Sequence, residues 1–513
     1  MELRNKMSLY ESRDTVIRGV SWQFYSSVLS TAIGGLFYIY IAHAFTTEIV
    51  GVFSLISAIM VLFGTIFSIG LGTGIQHYIS FHLGRGEEKT IRLLARKFLL
   101  LGFLLSLSAS AVLWILSPLL ANQLFHTFSY IAYLRLIDVE IFAAVFNGFL
   151  SAMLLGLQNF KANALITMIN WSVAYGLIIP LLLLNSDPIR VIYAWIFGYY
   201  LSMFLYYHSV HRKLRNVPLD KERVEVKPVL LYSLPIFVSG LIGYGASYVD
   251  RLTVSFFINL SELGVYNFAL LIISALGIVI GPITVILLSR LSESYSRNDM
   301  RSFHLYSSKG VEVLSAVYMP IALLAAALSP SVLLFLANNE YLPGYVPMII
   351  ILVASAVTVS GNVFAVSLQA IRKTKIFLLS SSLALLSNFV LSILLIPHFG
   401  INGAAVGYAS TGVVGFIVVY YFSKKYGVFV FEKMKMAKVF LSSFLMFFLM
   451  VFIQERVGFS ITRLFIFIAT GLAVYLFLIR VLAVFSEEDM DLFLGMIPGN
   501  FKKLKRFFKS LFV

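Results

Sequence analysis

Asp250 and Arg251 stand side by side in an otherwise weakly polar run, Gly245-Ala246-Ser247-Tyr248-Val249-Asp250-Arg251-Leu252-Thr253. Two chemistries are open to such a pair inside a membrane helix. It can bind or gate an anion through the guanidinium, or it can lock one conformer as an intramembrane ion pair. Each charge near a helix centre costs about 2.5–3.5 kcal/mol on insertion scales, so neither side chain belongs against lipid. A water-filled cavity or a partner on another helix must hold them.

Other polar side chains interrupt apolar runs. Arg18, Trp22 and Gln23, at i, i+4 and i+5, share roughly one helix face, where the planar fork of Arg18 suits a phosphate. Plain anchoring at the membrane surface is the other reading of Arg18. Asp138 and Glu140 sit two apart, hence on different faces, and either could bind a coupling proton or cation or simply end a helix in water. Asn147, Asn170 and Gln158 either line a cavity or bridge helices. Pro235, Gly281, Pro282 and Pro320 interrupt helical runs and are candidate hinges or static kinks, with Gly281-Pro282 expected to break its helix.

Fourteen apolar stretches must position these residues, at about 19–43, 49–73, 98–121, 136–157, 163–184, 189–210, 229–257, 264–288, 311–336, 345–370, 376–396, 402–422, 437–455 and 461–485. Roughly 20 apolar residues at 1.5 Å rise span the ~30 Å hydrocarbon core. Backbone in lipid must satisfy its own hydrogen bonds, so the expected fold is an all-α integral membrane protein of 14 transmembrane helices. Apolar content of 59% and charged content of 12% agree.

The loops alternate between basic and nearly uncharged. All but five of the 39 lysines and arginines fall on one side, the exceptions being Arg135, Arg190, Arg251, Arg456 and Arg463. The positive-inside rule then makes the helix count even and both termini cytoplasmic, in a multi-pass protein of the plasma membrane. The same asymmetry absorbs the net charge of +15, which in another class of protein would suggest nucleic acid. The first apolar run is too long for a cleaved signal and reads as helix one.

Several function classes drop out. There is no GxxxxGK[ST] phosphate loop, no HExxH and no cysteine, and the eight histidines are dispersed. No cofactor, metal site or catalytic residue is expected, and the chain reads as a transporter rather than an enzyme.

An internal duplication supports that class. Ile49-Val50-Gly51-Val52-Phe53 aligns with Glu262-Leu263-Gly264-Val265-Tyr266, Gly156 to Lys161 aligns with Ala370 to Lys375, and Pro180 aligns with Pro397, all at an offset near 213 residues. Two pseudo-symmetric six-helix lobes follow, at 1–210 and 229–430, joined by a polar linker at 211–228. Two extra C-terminal helices occupy 431–485, and a basic amphipathic tail at 486–513 fits a helix lying on the inner leaflet. Parallel repeats of this kind usually enclose a central cavity that opens to each side in turn.

Three local patterns resemble the polysaccharide-transporter branch of the multidrug/oligosaccharidyl-lipid/polysaccharide exporter superfamily. One is Leu395-Ile396-Pro397-His398-Phe399-Gly400-Ile401-Asn402-Gly403-Ala404-Ala405-Val406-Gly407, where Pro397 ends one helix, Gly400 turns and Gly403 lets the next helix pack closely. The others are Asp250-Arg251 followed by Leu263-Gly264-Val265-Tyr266-Asn267, and the turn from Leu157 to Lys161. The resemblance implies a monomeric flippase that moves oligosaccharides linked to polyprenyl or dolichyl (di)phosphate to the outer leaflet by alternating access. Its partners would be membrane lipids and a glycan polymerase or transferase of the same pathway. Arg18, Trp22, Gln23, Asn147, Asp250 and Arg251 are the expected headgroup and cavity residues, with Asp138, Glu140 and Asp250 as candidate ion-coupling groups. Related alternatives are a multidrug and toxin extrusion antiporter, which often carries an acid and a proline in helix one that this chain lacks there, and a flippase of peptidoglycan lipid precursor.

Overall fold

The computed structural model describes residues 2–184, 186–215, 217, 225–428, 432–458 and 461–484, those at 2–20, 184, 461 and 462 by backbone alone. The expected tail helix at 486–513 and linker residues 216 and 218–224 lie outside the described residues. Among the described residues no strand forms, and 14 helical spans are long and apolar enough to cross a membrane. The chain is a multi-pass helical membrane protein. It divides into two compact units, Met1–Tyr244 and Gly245–Val513, with the division inside the seventh span.

The first unit holds α1 (Glu2–Ala44), α2 (Thr47–Ser68), α3 (Leu71–Gly84), α4 (Glu88–Leu124), α5 (Ile131–Gly156), α6 (Phe160–Gly176), α7 (Ile178–Leu184), α8 (Ile189–Leu214) and the first half of α9 (Lys227–Phe257). α5 is its centre and packs against α2, α3, α4 and α8. The reason is compositional: α5 presents apolar or small residues around most of its circumference, whereas the exposed side chains of α4, such as Leu100, Leu104 and Ile115, form a lipid-facing stripe.

The expected second span at 49–73 is corrected by the structure. The helix ends at Ser68, and the chain turns through Ile69 (φ 48°) and Gly70 (φ 65°) before α3 begins. Gly70 faces α9 so closely that a Cβ there would lie 2.6 Å from the Ser233 carbonyl oxygen and 2.8 Å from the Phe237 nitrogen. Left-handed backbone alone costs a residue with a Cβ about 1–2 kcal/mol, and here the contact atoms are backbone and cannot swing away. Gly70→Ala is therefore expected to lower the thermal unfolding midpoint of the detergent-purified protein, while Gly64→Ala, with open space at its Cβ, should not.

The second unit comprises the rest of α9 with α10 (Leu260–Ala275), α11 (Gly277–Ser296), α12 (Met300–Ala327), α13 (Ser329–Leu336), α14 (Tyr345–Thr358), α15 (Gly361–Ala370), α16 (Lys375–Phe399), α17 (Ile401–Lys425), α18 (Lys433–Val457) and α19 (Ile461–Val481). α12 is the most enclosed span and packs against α11, α14 and α18. Side-chain caps set two helix starts: Asn259 accepts from the Glu262 N–H at 2.8 Å, and Asp299 accepts from the Ser302 N–H at 3.0 Å. Hydrogen bonds from Ser302, its side chain first, hold the Asp299 carboxyl below the usual carboxylate range.

Two proline expectations are revised. Helix α11 runs through Gly281 and Pro282, and the break lies at Leu276, between α10 and α11. The proline ring crowds the carbonyl four residues earlier, so the irregularity appears N-terminal to Pro282. Helices α9 and α12 continue through Pro235 and Pro320, as a kink at either proline allows. Pro397 does not end its helix. α16 continues to Phe399 and stops at Gly400 (φ 57°), whose N–H bonds the Ile396 carbonyl at 2.9 Å. The close packing expected at Gly403 is present: a Cβ there would lie 2.6 Å from the Leu395 carbonyl. The ninth span starts earlier than expected, at Met300, and the tenth is interrupted before Gly361.

The two C-terminal spans are bolted to the second unit by polar contacts. Gln454 donates to Ser331 Oγ at 3.0 Å, and the Tyr475 hydroxyl donates to the Ala316 carbonyl at 2.7 Å. At the basic end, Lys309 Nζ lies 2.9 Å from Glu312 Oε2, and Lys435 Nζ lies 3.9 Å from Glu312 and 3.1 Å from Glu432.

Candidate functional site

Asp250 is completely buried in α9. Its Oδ2 accepts a 2.6 Å hydrogen bond from the Tyr266 hydroxyl of α10, and its Oδ1 has no hydrogen-bond partner. The Tyr266 hydroxyl also lies 3.4 Å from the Ala404 carbonyl of α17, within the glycine- and alanine-rich segment that brings this helix close. Asn388 of α16 donates to the Ala246 carbonyl at 3.2 Å and accepts from Ser392 at 3.0 Å, so α16 fixes the same stretch of α9.

Arg251, one residue on, points to a different face. It is half-buried, its guanidinium lies 4.6 Å from the Tyr248 ring centroid, and its Nε has no hydrogen-bond partner. Tyr408 of α17 is in electrostatic reach of both charges. No direct contact at ion-pairing distance joins Asp250 to Arg251, although the two charges act on each other. Asp250 is held by a phenol through one oxygen, and the Arg251 Nε has no hydrogen-bond partner. A guanidinium in a span with a free edge and an aromatic face can take a phosphate or pyrophosphate, whose oxygens match its fork.

In the first unit Glu140 is only 1% exposed, and its Oε2 has no hydrogen-bond partner. Tyr175 of α6 and Tyr199 of α8 feel its charge. Around them the rings of Phe37, Tyr175 and Trp195 pack at centroid distances of 4.7 and 5.8 Å. A buried carboxylate without hydrogen-bond donors is costly unless a proton or cation neutralises it. Asp138 is also buried and accepts from Ser110 Oγ of α4 at 2.6 Å. The wet helix end considered for this acidic pair is revised for Glu140, which neighbouring helices enclose, whereas Asp138 is held by Ser110 nearer the end of α5.

Three other candidates bridge helices. Asn147 donates to the Tyr199 carbonyl at 3.0 Å and to Ser202 Oγ at 2.9 Å, tying α5 to α8. Gln23 donates to the Phe160 carbonyl at 2.9 Å, tying α1 to α6, and Trp22 lies 5.4 Å beneath Lys161 Nζ. The side chain of Arg18 lies outside the described residues. Asn170 keeps a buried Oδ1 without a partner, and Gln158 occupies a turn at φ 55°. Among the described residues no group of three His, Asp or Glu side chains is placed to hold a metal ion.

Sequence reasoning missed Tyr266 as the partner of Asp250, although both stood in the same run that carries the resemblance. It also missed Tyr175 and Tyr199, which carry no signal apart from their place on neighbouring helices. Glu140→Gln offers a direct check of the first-unit acid. The amide removes a buried charge without changing shape, so thermal stability should hold or rise, while the pH dependence of transport should flatten. An unchanged pH profile would remove Glu140 from the working groups.

A family model described as polysaccharide biosynthesis protein matches residues 55–346, more than half of the chain and inclusive of Glu140, Asp250, Arg251 and Tyr266. A solved structure of the lipid II flippase MurJ in an inward closed conformation is similar at TM-score 0.71 and 17% identity, covering 91% of this chain and 98% of that one. An inward-facing multidrug resistance MATE family transporter of the MOP superfamily gives TM-score 0.65 and 16% identity, covering 77% and 94%. A MOP superfamily transporter from Pyrococcus furiosus, described as having a binding pocket of reversed polarity, gives 0.56 and 14%, covering 82% and 96%. At these identities the likeness is one of fold. No curated protein matches the chain by sequence.

Proposed function

The chain belongs to the polysaccharide biosynthesis protein family, and from that premise we propose that it is a flippase for a lipid-linked oligosaccharide, moving a glycan on a polyprenyl or dolichyl (di)phosphate from the inner to the outer leaflet by alternating access. The observation that carries this reading is Arg251: a half-buried guanidinium inside a span, with its acidic neighbour bonded to Tyr266 instead. Such a charge is expensive without a counterion, and a diphosphate entering from the bilayer supplies one. Aromatic side chains beside it, Tyr248 and Tyr408, offer surfaces on which a sugar can stack.

In this proposal Arg251 meets the diphosphate, and Asp250 with Tyr266 positions the helix that carries it. Glu140 binds the coupling proton or cation, Arg18 meets the headgroup at the basic face, and Pro235, Gly281, Pro282 and Pro320 accommodate bending. Asn147, Gln23 and Trp22 keep the first unit in register. The protein works in the plasma membrane as a monomer with both termini cytoplasmic, catalyses no covalent chemistry, and serves a polymerase or transferase of the same pathway.

A second reading, cation-coupled drug antiport, draws on the buried Glu140 and on the fold shared with the MATE transporter. A third, flipping of peptidoglycan lipid precursor, draws on the likeness to MurJ. Proteoliposomes separate the three. Each is loaded with a labelled pyrophosphate-linked oligosaccharide lipid, labelled lipid II or a fluorescent monocation. Preferential translocation of the oligosaccharide lipid is expected. Efflux of the monocation alone, or translocation of lipid II alone, overturns the proposal.

A further inference from the structure

The basic ends of α4 and α8 form a second polar feature in the first unit, far along both helices from Glu140. A cavity of about 240 Å³ there is lined by Arg92, Arg96, His211 and Arg215, with Tyr207 and Leu99 among its remaining walls. Arg92 and Arg96 are one helical turn apart on α4, and His211 and Arg215 are one turn apart on α8, so four cationic or potentially cationic side chains converge from two helices. Among the described residues none of the three arginines is ion-paired with a carboxylate.

The groups are not equivalent. Arg92 is half-buried, and its Nη1 donates to the Val217 carbonyl, which fixes one wall of the cavity. Arg96 and Arg215 are exposed, and among the described residues their side-chain donors meet no acceptor. His211 stacks on the Tyr207 ring at 6.0 Å. The floor is aliphatic: Ala95, Val210 and Leu214 are buried there. Below Arg96 the helix continues into its apolar span, and Arg215 follows the last turn of α8, so the cavity sits where a bilayer meets water.

We propose that this cavity is a binding site for a phosphate ester, the headgroup of an anionic membrane lipid, with its phosphate between Arg96 and Arg215 and its glycerol and first acyl carbons against Leu99 and Leu214. Paired arginines match phosphate oxygens, and basic hollows between membrane helices on the basic face take anionic headgroups. The aliphatic floor favours a lipid over a soluble anion, because methylenes resting on it leave water. The site is independent of the transported substrate. It would tie the orientation of α4 and α8 to the anionic lipid content of the leaflet.

Native mass spectrometry of the purified full-length protein tests this with three probes: dioleoyl-phosphatidylglycerol, dioleoyl-phosphatidylcholine and inorganic phosphate. Phosphatidylglycerol is expected to bind at least tenfold more tightly than phosphatidylcholine. The R96Q/R215Q variant should lose that preference, whereas K424Q/K425Q, which removes equal charge elsewhere, should keep it within twofold. Arg92 is left intact because it holds the Val217 carbonyl. Loss of both phosphatidylglycerol and inorganic phosphate binding in R96Q/R215Q would support the phosphate chemistry with a free anion as a competing source. An undiminished preference in R96Q/R215Q overturns the site. Should that variant fold poorly, phenylglyoxal modification of the unaltered protein gives the same decision: Arg96 and Arg215 protected by phosphatidylglycerol vesicles support the site, and equal modification in phosphatidylcholine vesicles overturns it. Neither readout depends on glycan transport, so failure here leaves the flippase proposal separately testable.

Discussion

Glu312→Ala is expected to destabilise the second unit by about 3–5 kcal/mol, the usual cost of removing one member of a buried ion pair. Glu312 is 1% exposed, and its carboxylate faces Lys309 at 2.9 Å and Lys435 at 3.9 Å while accepting from Ser308 Oγ at 3.2 Å. Without it, Lys309 stays enclosed on α12, and Lys435 of α18 lies beside it, both ammonium groups then facing the half-exposed Glu432. The effect should fall on the attachment of α18 and α19, because this network is one of the polar links between α12 and α18. Thermal unfolding in detergent, read alongside protease cleavage of the chain between α17 and α18, measures it. Replacing both charges together, K309M/E312L, should recover most of the loss, since a buried pair exchanged for apolar residues of similar volume is often close to neutral. Equal destabilisation by the single and double variants would mean that the charges matter through shape alone.

The second large effect concerns the Asp250–Tyr266 hydrogen bond. A hydrogen bond to a charged group is worth about 1.5–3 kcal/mol, and its donor is the only side chain that satisfies Asp250 among the described residues. Tyr266→Phe strips that donor and leaves the buried carboxylate bare. Transport should fall about ten- to a hundredfold, and Asp250→Asn should fall by a similar factor. Because one variant removes the donor and the other the charge of the acceptor in a single contact, the double variant should be no worse than the more impaired single. Initial transport rates in proteoliposomes, normalised to folded protein, give the comparison. Losses that multiply would show that the two side chains act separately.

The membrane spans and their order were legible from hydropathy because each helix must offer lipid a continuous apolar surface. The charge alternation was legible for a related reason: loop charges follow topology and need no tertiary knowledge. Asp250 and Arg251 stood out because a charge in a span is rare and costly. Their roles did not follow from adjacency. Neighbours on a helix point about 100° apart, so Asp250 turned to α10 and Arg251 to Tyr248.

Other features depend on helices distant in sequence. The contact between Glu312 and Lys435 spans more than a hundred residues, and nothing near either position announces the other. The breaks at Ile69 and Leu276 also escaped the residue pattern. Gly70 turns because α9 leaves no room for a side chain, and the irregularity at Leu276 precedes the proline that was its visible marker. Glycines in membrane helices are common enough that only their neighbours tell a turn from a packing contact.

The flippase proposal is tested most directly by the inner-to-outer movement of a pyrophosphate-linked oligosaccharide lipid in proteoliposomes, followed by a glycosidase confined to one side. Arg251→Ala should reduce the rate of glycan exposure at least tenfold. Arg456→Ala should leave it unchanged, because Arg456 is an exposed arginine at the end of α18 that rests on Phe452. Full activity in Arg251→Ala, or no protein-dependent exposure of the glycan at all, contradicts it.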